Sequence, residues 1–212
     1  MIRQSKGRAR LLRLGALASH GGTNLQAIID ACREGRVDAR TCAVISNNSG
    51  SAALERARRE GIPAYHLSRV THPGAGELDA AILNVLEFHD VGLVLLAGYM
   101  KKLGPSVLSR YGGRVLNIHP ALLPRFGGKG MYGRSVHEAV LAAGEKTTGV
   151  TVHLVDEQYD HGPIVAQCEV PVLERDTVES LSGRVLECEH RFYVETLQRI
   201  GSGEIDLDRL GG

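Results

Sequence analysis

The chain has 212 residues, 43% of them hydrophobic, enough for one substantial domain with a core covered on both sides. Lys and Arg total 25 against 24 Asp and Glu, a formal charge of +1, so the electrostatic footprint of a duplex-binding or membrane-surface protein is missing. A small-molecule site is the expectation.

Residues 1–10 are expected to form a flexible extension, with a single domain over 11–212. The basic-then-apolar start superficially has the look of a secretory signal, but Arg13 interrupts the apolar run and "SHGGTNL" continues into a helical pattern. No stretch approaches the roughly 18 uninterrupted apolar residues of a membrane span. Residues 11–19 read as a strand and "HGGTN" as a turn. In 25–35 Leu25, Ile28, Ile29 and Cys32 recur at helical spacing until Gly35 ends the pattern. The rhythm returns with a strand at 41–46 and a helix at 52–61. An extended "IPAYHL", a helix around "GELDAAILNVLEFH" and the apolar "VGLVLLAG" (91–98) follow. Such alternation predicts a Rossmann-like α/β fold, a mostly parallel twisted sheet with helices on both faces.

"RVLNIHP" (114–120) is the next strand. Because side chains alternate, Asn117 and His119 share one face at its carboxyl end and Leu116 and Ile118 the other. After the loop "ALLPRFGGKGMYG" come a helix at 134–145 and two β-branched-rich strands, 149–155 and 163–170, joined by the acidic "DEQYDHG". A long C-terminal helix carries Val178, Leu181, Val185 and Leu186, with Asp176 or Thr177 as its cap. No internal repeat, low-complexity tract or linker marks a second domain.

In open α/β sheets ligands bind at the carboxyl ends of the strands, so two places stand out. "SHGGTNLQ" joins a strand to a helix, where first-turn N–H groups and the helix dipole form an anion site that Gly21 and Gly22 allow a ligand to approach. It matches neither a Walker A loop nor a dinucleotide fingerprint, so a simple phosphate monoester is expected. The plainer reading is that Thr23 or Asn24 merely caps the helix. Asn117 and His119 form the second place. Either alone is ordinarily structural, but an amide donor beside an imidazole suits acyl transfer, with an oxyanion to stabilise and a proton to move. A carboxylate partner would raise the histidine's pKa by favouring imidazolium. Asp156, Glu157 and Asp160 are all candidates. His161 reads as a second acid or base or as an exposed loop residue.

No metal is expected: "HEAVL" lacks the second histidine of H-E-x-x-H, and the histidines and cysteines show no clustered ligand spacing. Nor does a G-x-S-x-G elbow supply a serine nucleophile. Cys32, Cys42, Cys168 and Cys188 form no C-x-x-C pair and read as reduced thiols of a cytoplasmic protein.

The ordered set "SHGGTNLQAIIDAC", "ISN", "VLLAGYMKKL", "RVLNIHPALLPRFGGKG", "TGVTVHLVDEQYDHGPIV" and "ECEH" closely resembles the phosphoribosylglycinamide formyltransferases, from about Leu11 to the C-terminal helix. The "NIHPALLP" and D-x-G-P-I strings mark the wider folate-dependent formyltransferase superfamily; the turn ending "TN" and "ECEH" point to the glycinamide branch. The resemblance implies the formyltransferase fold and formyl transfer from 10-formyltetrahydrofolate, as co-substrate, to the amine of 5-phosphoribosylglycinamide in purine biosynthesis. It implies a phosphoribosylglycinamide site in the N-terminal half, at Gly22, Thr23, Asn24 and Glu189. Asn117 and His119 become the catalytic pair, supported by Asp160. The folate site and catalytic loop fall in the C-terminal half, with Met100, Lys101, Lys102, Leu103, Asn117, Asp156 and Asp160 toward the folate.

The chain departs from the family pattern in three places. Lys101 and Lys102 replace an arginine and an isoleucine, which loses a bidentate fork and sets a cation where an apolar wall is usual. Ala75 or Gly76 stands where an arginine meets the folate tail, a task open to Lys101 or Arg69. "FGGKGMYG" differs from the usual Pro-Gly-x-His segment but suits a mobile loop. A methionyl-tRNA formyltransferase should carry an additional RNA-binding domain and a formyltetrahydrofolate hydrolase a regulatory one, for which a chain of this length is expected to lack room. A catalytically idle binding module is the rival outside the enzymes. Neither nucleic acid nor membrane is an expected partner, and the chain is expected to act as a monomer or homodimer.

Overall fold

A computed structural model describes residues 11–210; the extension expected over 1–10 lies outside the described residues. Five strands, β1 (Leu12–Leu17), β2 (Ala39–Ser46), β3 (Ala64–His66), β4 (Leu93–Leu96) and β5 (Val115–His119), run parallel. β6 (Thr147–Leu154) and β7 (Ile164–Pro171) continue the sheet antiparallel, giving the order β3-β2-β1-β4-β5-β6-β7. The order reverses between β1 and β4, so a crevice opens at their carboxyl ends.

Burial on both sides explains the unbroken apolar runs. In β4, Leu93 and Leu95 pack on one face with Leu14, Leu116 and the long helix α6 (Val178–Gly201), while Val94 and Leu96 pack on the other. The first face takes helices α1 (Thr23–Arg33) and α5 (Arg134–Ala142). The second takes α3 (Glu77–Phe88) and α4 (Pro105–Arg110), and α2 (Ala52–Arg59) closes the sheet against Val44. In β5 the alternation continues: Leu116 and Ile118 enter the first core and Val115 the second, so Asn117 and His119 extend the Val115 face.

One local expectation is corrected, one short helix was not anticipated, and one pair of alternatives is decided. Neither Thr23 nor Asn24 caps α1: Gly22 is the N-cap, at φ 65, with no side-chain cap bond. A Cβ there would stand 2.8 Å from the Ala53 Cβ, so glycine answers both a left-handed backbone and a close approach to α2. α4 escapes a periodicity reading because it has six residues and borrows its cap, Asp79 of α3 accepting from Ser106 N at 2.7 Å and Val107 N at 3.2 Å. For α6, Thr177 is the cap, in a reciprocal box with Ser180, while Asp176 grips Arg184 at 2.7 and 2.8 Å.

Candidate active site

The crevice is a cavity of about 530 Å³ that receives Asn24, Met100, Lys101, Lys102, Leu103, Asn117, His119, Asp156, Asp160 and Glu189. Gly22 and Thr23 do not line it; they form the turn that delivers Asn24 from the start of α1. Ser19 ties three strand ends together, donating to Asn47 Oδ1 at 2.6 Å and accepting from Met100 N at 2.7 Å. That pair of bonds holds the segment 98–103 against the cavity.

Asp160 joins the pair on β5, which decides among the three acidic candidates. Its Oδ2 lies 3.5 Å from His119 Nδ1 and accepts from Gly128 N at 3.0 Å, and its Oδ1 accepts from Asn117 Nδ2 at 3.4 Å. The backbone at Asp160 is left-handed, φ 52, which turns the carboxylate back over the strand end. Glu157 is exposed and takes no part. Asp156 instead accepts from Gln158 N and pairs with exposed His161 at 2.7 Å, so His161 braces the loop rather than entering the cavity.

His119 is buried, and its Nε2 is 2.8 Å from the Phe126 carbonyl. A carbonyl only accepts, so Nε2 carries a hydrogen and Nδ1, beside Asp160, is the nitrogen that gains or loses a proton. The carboxylate acts in the expected direction, but burial outweighs it. Burial lowers the His119 pKa more than Asp160 and the Phe126 carbonyl raise it, with His153 adding to the lowering, so the resting imidazole is neutral at pH 7. At Asp160 burial acts to raise the pKa, but the approach of His153, the His119 ring and the Gly128 N–H outweigh it, so this carboxyl sits below its ordinary value.

The sequence reading missed His153. It lies opposite Asn117 in the β5–β6 register, only 2% exposed. Its Nδ1 bonds the Leu154 carbonyl at 2.8 Å, which leaves the Nε2 lone pair to accept from Asn117 Nδ2 at 3.0 Å. One neutral tautomer thus fixes which way the Asn117 amide points. The available signal was "VTVHLV", a polar residue in an apolar strand with the parity to face Asn117. Thr151, opposite His119, was missed too; it donates to Ala121 O and accepts from Leu123 N, pinning the loop after Pro120.

Across the cavity Glu189 is buried, with the Asn24 amide at 3.4 Å as its hydrogen-bond partner. Burial pushes its pKa up to about 7 against that bond. Among the described residues Asn24 Oδ1 has no hydrogen-bond partner. An unpaired amide oxygen beside a reluctant carboxylate suits hydroxyl-bearing ligands. The Lys102 ammonium stands 5.9 Å from the centroid of the Tyr159 ring, so its charge meets an aromatic face. Among the described residues no cluster of three His, Cys, Asp or Glu side chains is arranged to hold a metal, and no helix is long and apolar enough to cross a membrane.

The formyl transferase family model matches residues 12–197. The chain is 40% identical over 192 residues to the chloroplastic phosphoribosylglycinamide formyltransferase of Arabidopsis thaliana, a match covering 90% of this chain and 66% of that protein. To the phosphoribosylglycinamide formyltransferase of Haemophilus influenzae it is 38% identical over 195 residues, covering 92% and 90%. The solved structure of glycinamide ribonucleotide transformylase 1 from Symbiobacterium toebii superposes with a TM-score of 0.86 at 43% identity, covering 94% and 92%. The chain therefore spans just under two thirds of the plant relative but nine-tenths of the bacterial one. A match over nearly the whole described chain, on the same architecture, makes this protein a member of the formyl transferase family, among the phosphoribosylglycinamide formyltransferases.

Proposed function

We propose that the chain transfers the formyl group of 10-formyltetrahydrofolate to the amine of 5-phosphoribosylglycinamide, a step of purine biosynthesis. The observation that carries this reading is the convergence of Asn117, His119 and Asp160 in the cavity that the α1 turn and Glu189 also reach. Gly22, Thr23 and Asn24 hold the phosphate through the N-terminal turn of α1, and Glu189 takes the ribose. Met100, Lys101, Lys102 and Leu103 line the folate side with the loop from Asp156 to Asp160. Residues 11–212 act as one domain, as a monomer or homodimer. The four cysteines are free thiols, which supports a reducing, cytoplasmic setting.

In the mechanism the glycinamide amine attacks the formyl carbon and the carbonyl electron pair moves onto oxygen. Asn117 supplies a donor to that oxyanion. One of its amide hydrogens is anchored on His153 at 3.0 Å, while the other makes only a 3.4 Å contact to Asp160 and is free to turn to a better acceptor. Resting neutral, His119 accepts the proton released by the attacking amine at Nδ1. The imidazolium so formed faces the Asp160 carboxylate, supports the oxyanion, and returns the proton as the folate amine leaves. Asp160 thus acts after proton transfer, when the charge exists for it to stabilise.

The test is an absorbance assay for tetrahydrofolate formation from a 10-formyl folate, with and without phosphoribosylglycinamide. Turnover that requires the glycinamide supports the transferase. Equal turnover in its absence shows a hydrolase, and binding of both ligands with no turnover shows an idle module.

A further inference from the structure

Cys168 and Cys188 lie 20 residues apart in sequence, yet their sulfurs are 3.3 Å apart. The fold creates the meeting. Cys168 sits on β7, the edge strand, sharing its inner face with Ala166 and Val170, and Cys188 sits on the turn of α6 that crosses that strand. The two environments differ. Cys168 is partly exposed, whereas Cys188 is 7% exposed and its thiol is pushed up to about 11, by burial first and then by Cys168.

The contacts have a direction. Cys188 Sγ donates toward Cys168 Sγ, and the exposed Arg191 guanidinium reaches both sulfurs, at 3.8 Å from Cys168 and 3.9 Å from Cys188. The accessible sulfur is therefore the one a reagent meets first, with a thiol S–H and a guanidinium directed at it. The buried sulfur keeps its proton and waits within reach. Neither residue lines the cavity, so this cluster is separate from the formyl-transfer site.

We propose that Cys168 and Cys188 are a modification site, a dithiol that a peroxide oxidises to an intramolecular disulfide. In the first step the Cys168 thiolate attacks one peroxide oxygen, the O–O bond breaks, and the leaving oxygen takes up a proton, giving a sulfenic acid and water or an alcohol. In the second, the Cys188 sulfur attacks the sulfenic sulfur, the S–O bond breaks, and hydroxide leaves with the Cys188 proton as water. Two thiols lose two electrons and the peroxide gains them. Closing the sulfurs to about 2.05 Å asks for a movement of little more than an ångström between an edge strand and one helix turn. A thiol reductant reverses the reaction. The pair is unlike Cys42, which is buried, and Cys32, whose thiol burial pushes up to about 11.

The experiment treats the whole reduced protein with about one equivalent of hydrogen peroxide and maps it by mass spectrometry without reduction. The expected result is loss of two hydrogen masses and a linked peptide joining Cys168 to Cys188, both restored by dithiothreitol. Cys168 should react at least about tenfold faster than Cys32 or Cys42. Cys168→Ser, placed on the strand so as not to touch the helix turn bearing Glu189, should abolish the link; Cys188→Ser should leave a sulfenic acid at Cys168 that dimedone captures. Stepwise addition of oxygen atoms to Cys168 in the wild-type chain with no linked peptide overturns the proposal, as does a covalent dimer through Cys168. Both readings come from the wild-type protein, so they stand even where a variant does not fold.

Discussion

The two halves of the sheet present chemistry to the cavity in different ways. In the parallel half, the turn after β1 delivers Asn24, and because Gly22 caps α1 without a side chain the first-turn N–H groups of the helix have no side-chain cap, all within one contiguous string. In the antiparallel half, register does the work. Asn117 stands opposite His153 and His119 opposite Thr151, and a loop returns Asp160 to both. Backbone sites should therefore govern affinity and register sites the rate. Substitutions in the antiparallel half are expected to lower kcat, and those at the turn to raise KM for the glycinamide.

The hardest test of that contrast is removal of the β5 pair. Asn117→Ala and His119→Ala should each lower kcat/KM on the order of 100-fold or more, as lost oxyanion donors do. Near-normal turnover of His119→Ala in steady-state assays would refute the assignment. Asp160→Asn should cost about tenfold or more, and it adds a sign. The Asp160 charge raises the His119 pKa against a larger lowering by burial, so its loss lowers that pKa further. The acid limb of the kcat/KM profile, already below pH 6.5, should move to lower pH; a limb displaced upward would contradict the proton path drawn through Nδ1.

His153 separates positioning from chemistry. His153→Ala removes the acceptor that anchors the Asn117 amide and should lower kcat about tenfold, a loss of oriented hydrogen bonding, while relief of its lowering effect on His119 moves the acid limb to higher pH. His153→Gln, whose side-chain oxygen also accepts, should recover part of that loss. A purely structural histidine would show no such rescue.

The same contrast explains what the sequence disclosed. The turn was legible because its residues are adjacent in the chain, and Asn117 with His119 because strand alternation puts them on one face. Choosing Asp160 over Asp156 and Glu157 needed the resemblance, since nothing local says that φ 52 at residue 160 turns its carboxylate back over β5. His153 is paired with a residue 36 positions away, and only the register reveals that. The charge state of His119 was misjudged because a carboxylate neighbour is readable in a sequence and the depth of burial is not. α4 was missed for a related reason: its cap belongs to another helix.

At the turn, Gly22→Ala is expected to act on binding. A left-handed φ and contact with Ala53 at 2.8 Å place the cost at about 1–3 kcal/mol, read as a higher KM for the glycinamide with kcat nearly kept. A fall in kcat with KM unchanged would erase the distinction between the two halves.

Glu189 should give the smallest effect on turnover. At pH 7 a carboxyl with a pKa of about 7 is half protonated, so glutamine resembles a form the site already populates. Its signature lies in stability instead. The folded state holds a proton that the unfolded chain releases near pH 4.5, so the stabilisation is full below 4.5 and is lost as pH rises through about 7. Glu189→Gln has no such slope. Its Tm should approach that of the wild type near pH 4.5 and exceed it above pH 7, by an amount equivalent to on the order of 3 kcal/mol. Equal Tm differences at both pH values would mean that the cavity hydrates Glu189 and leaves it no penalty to relieve.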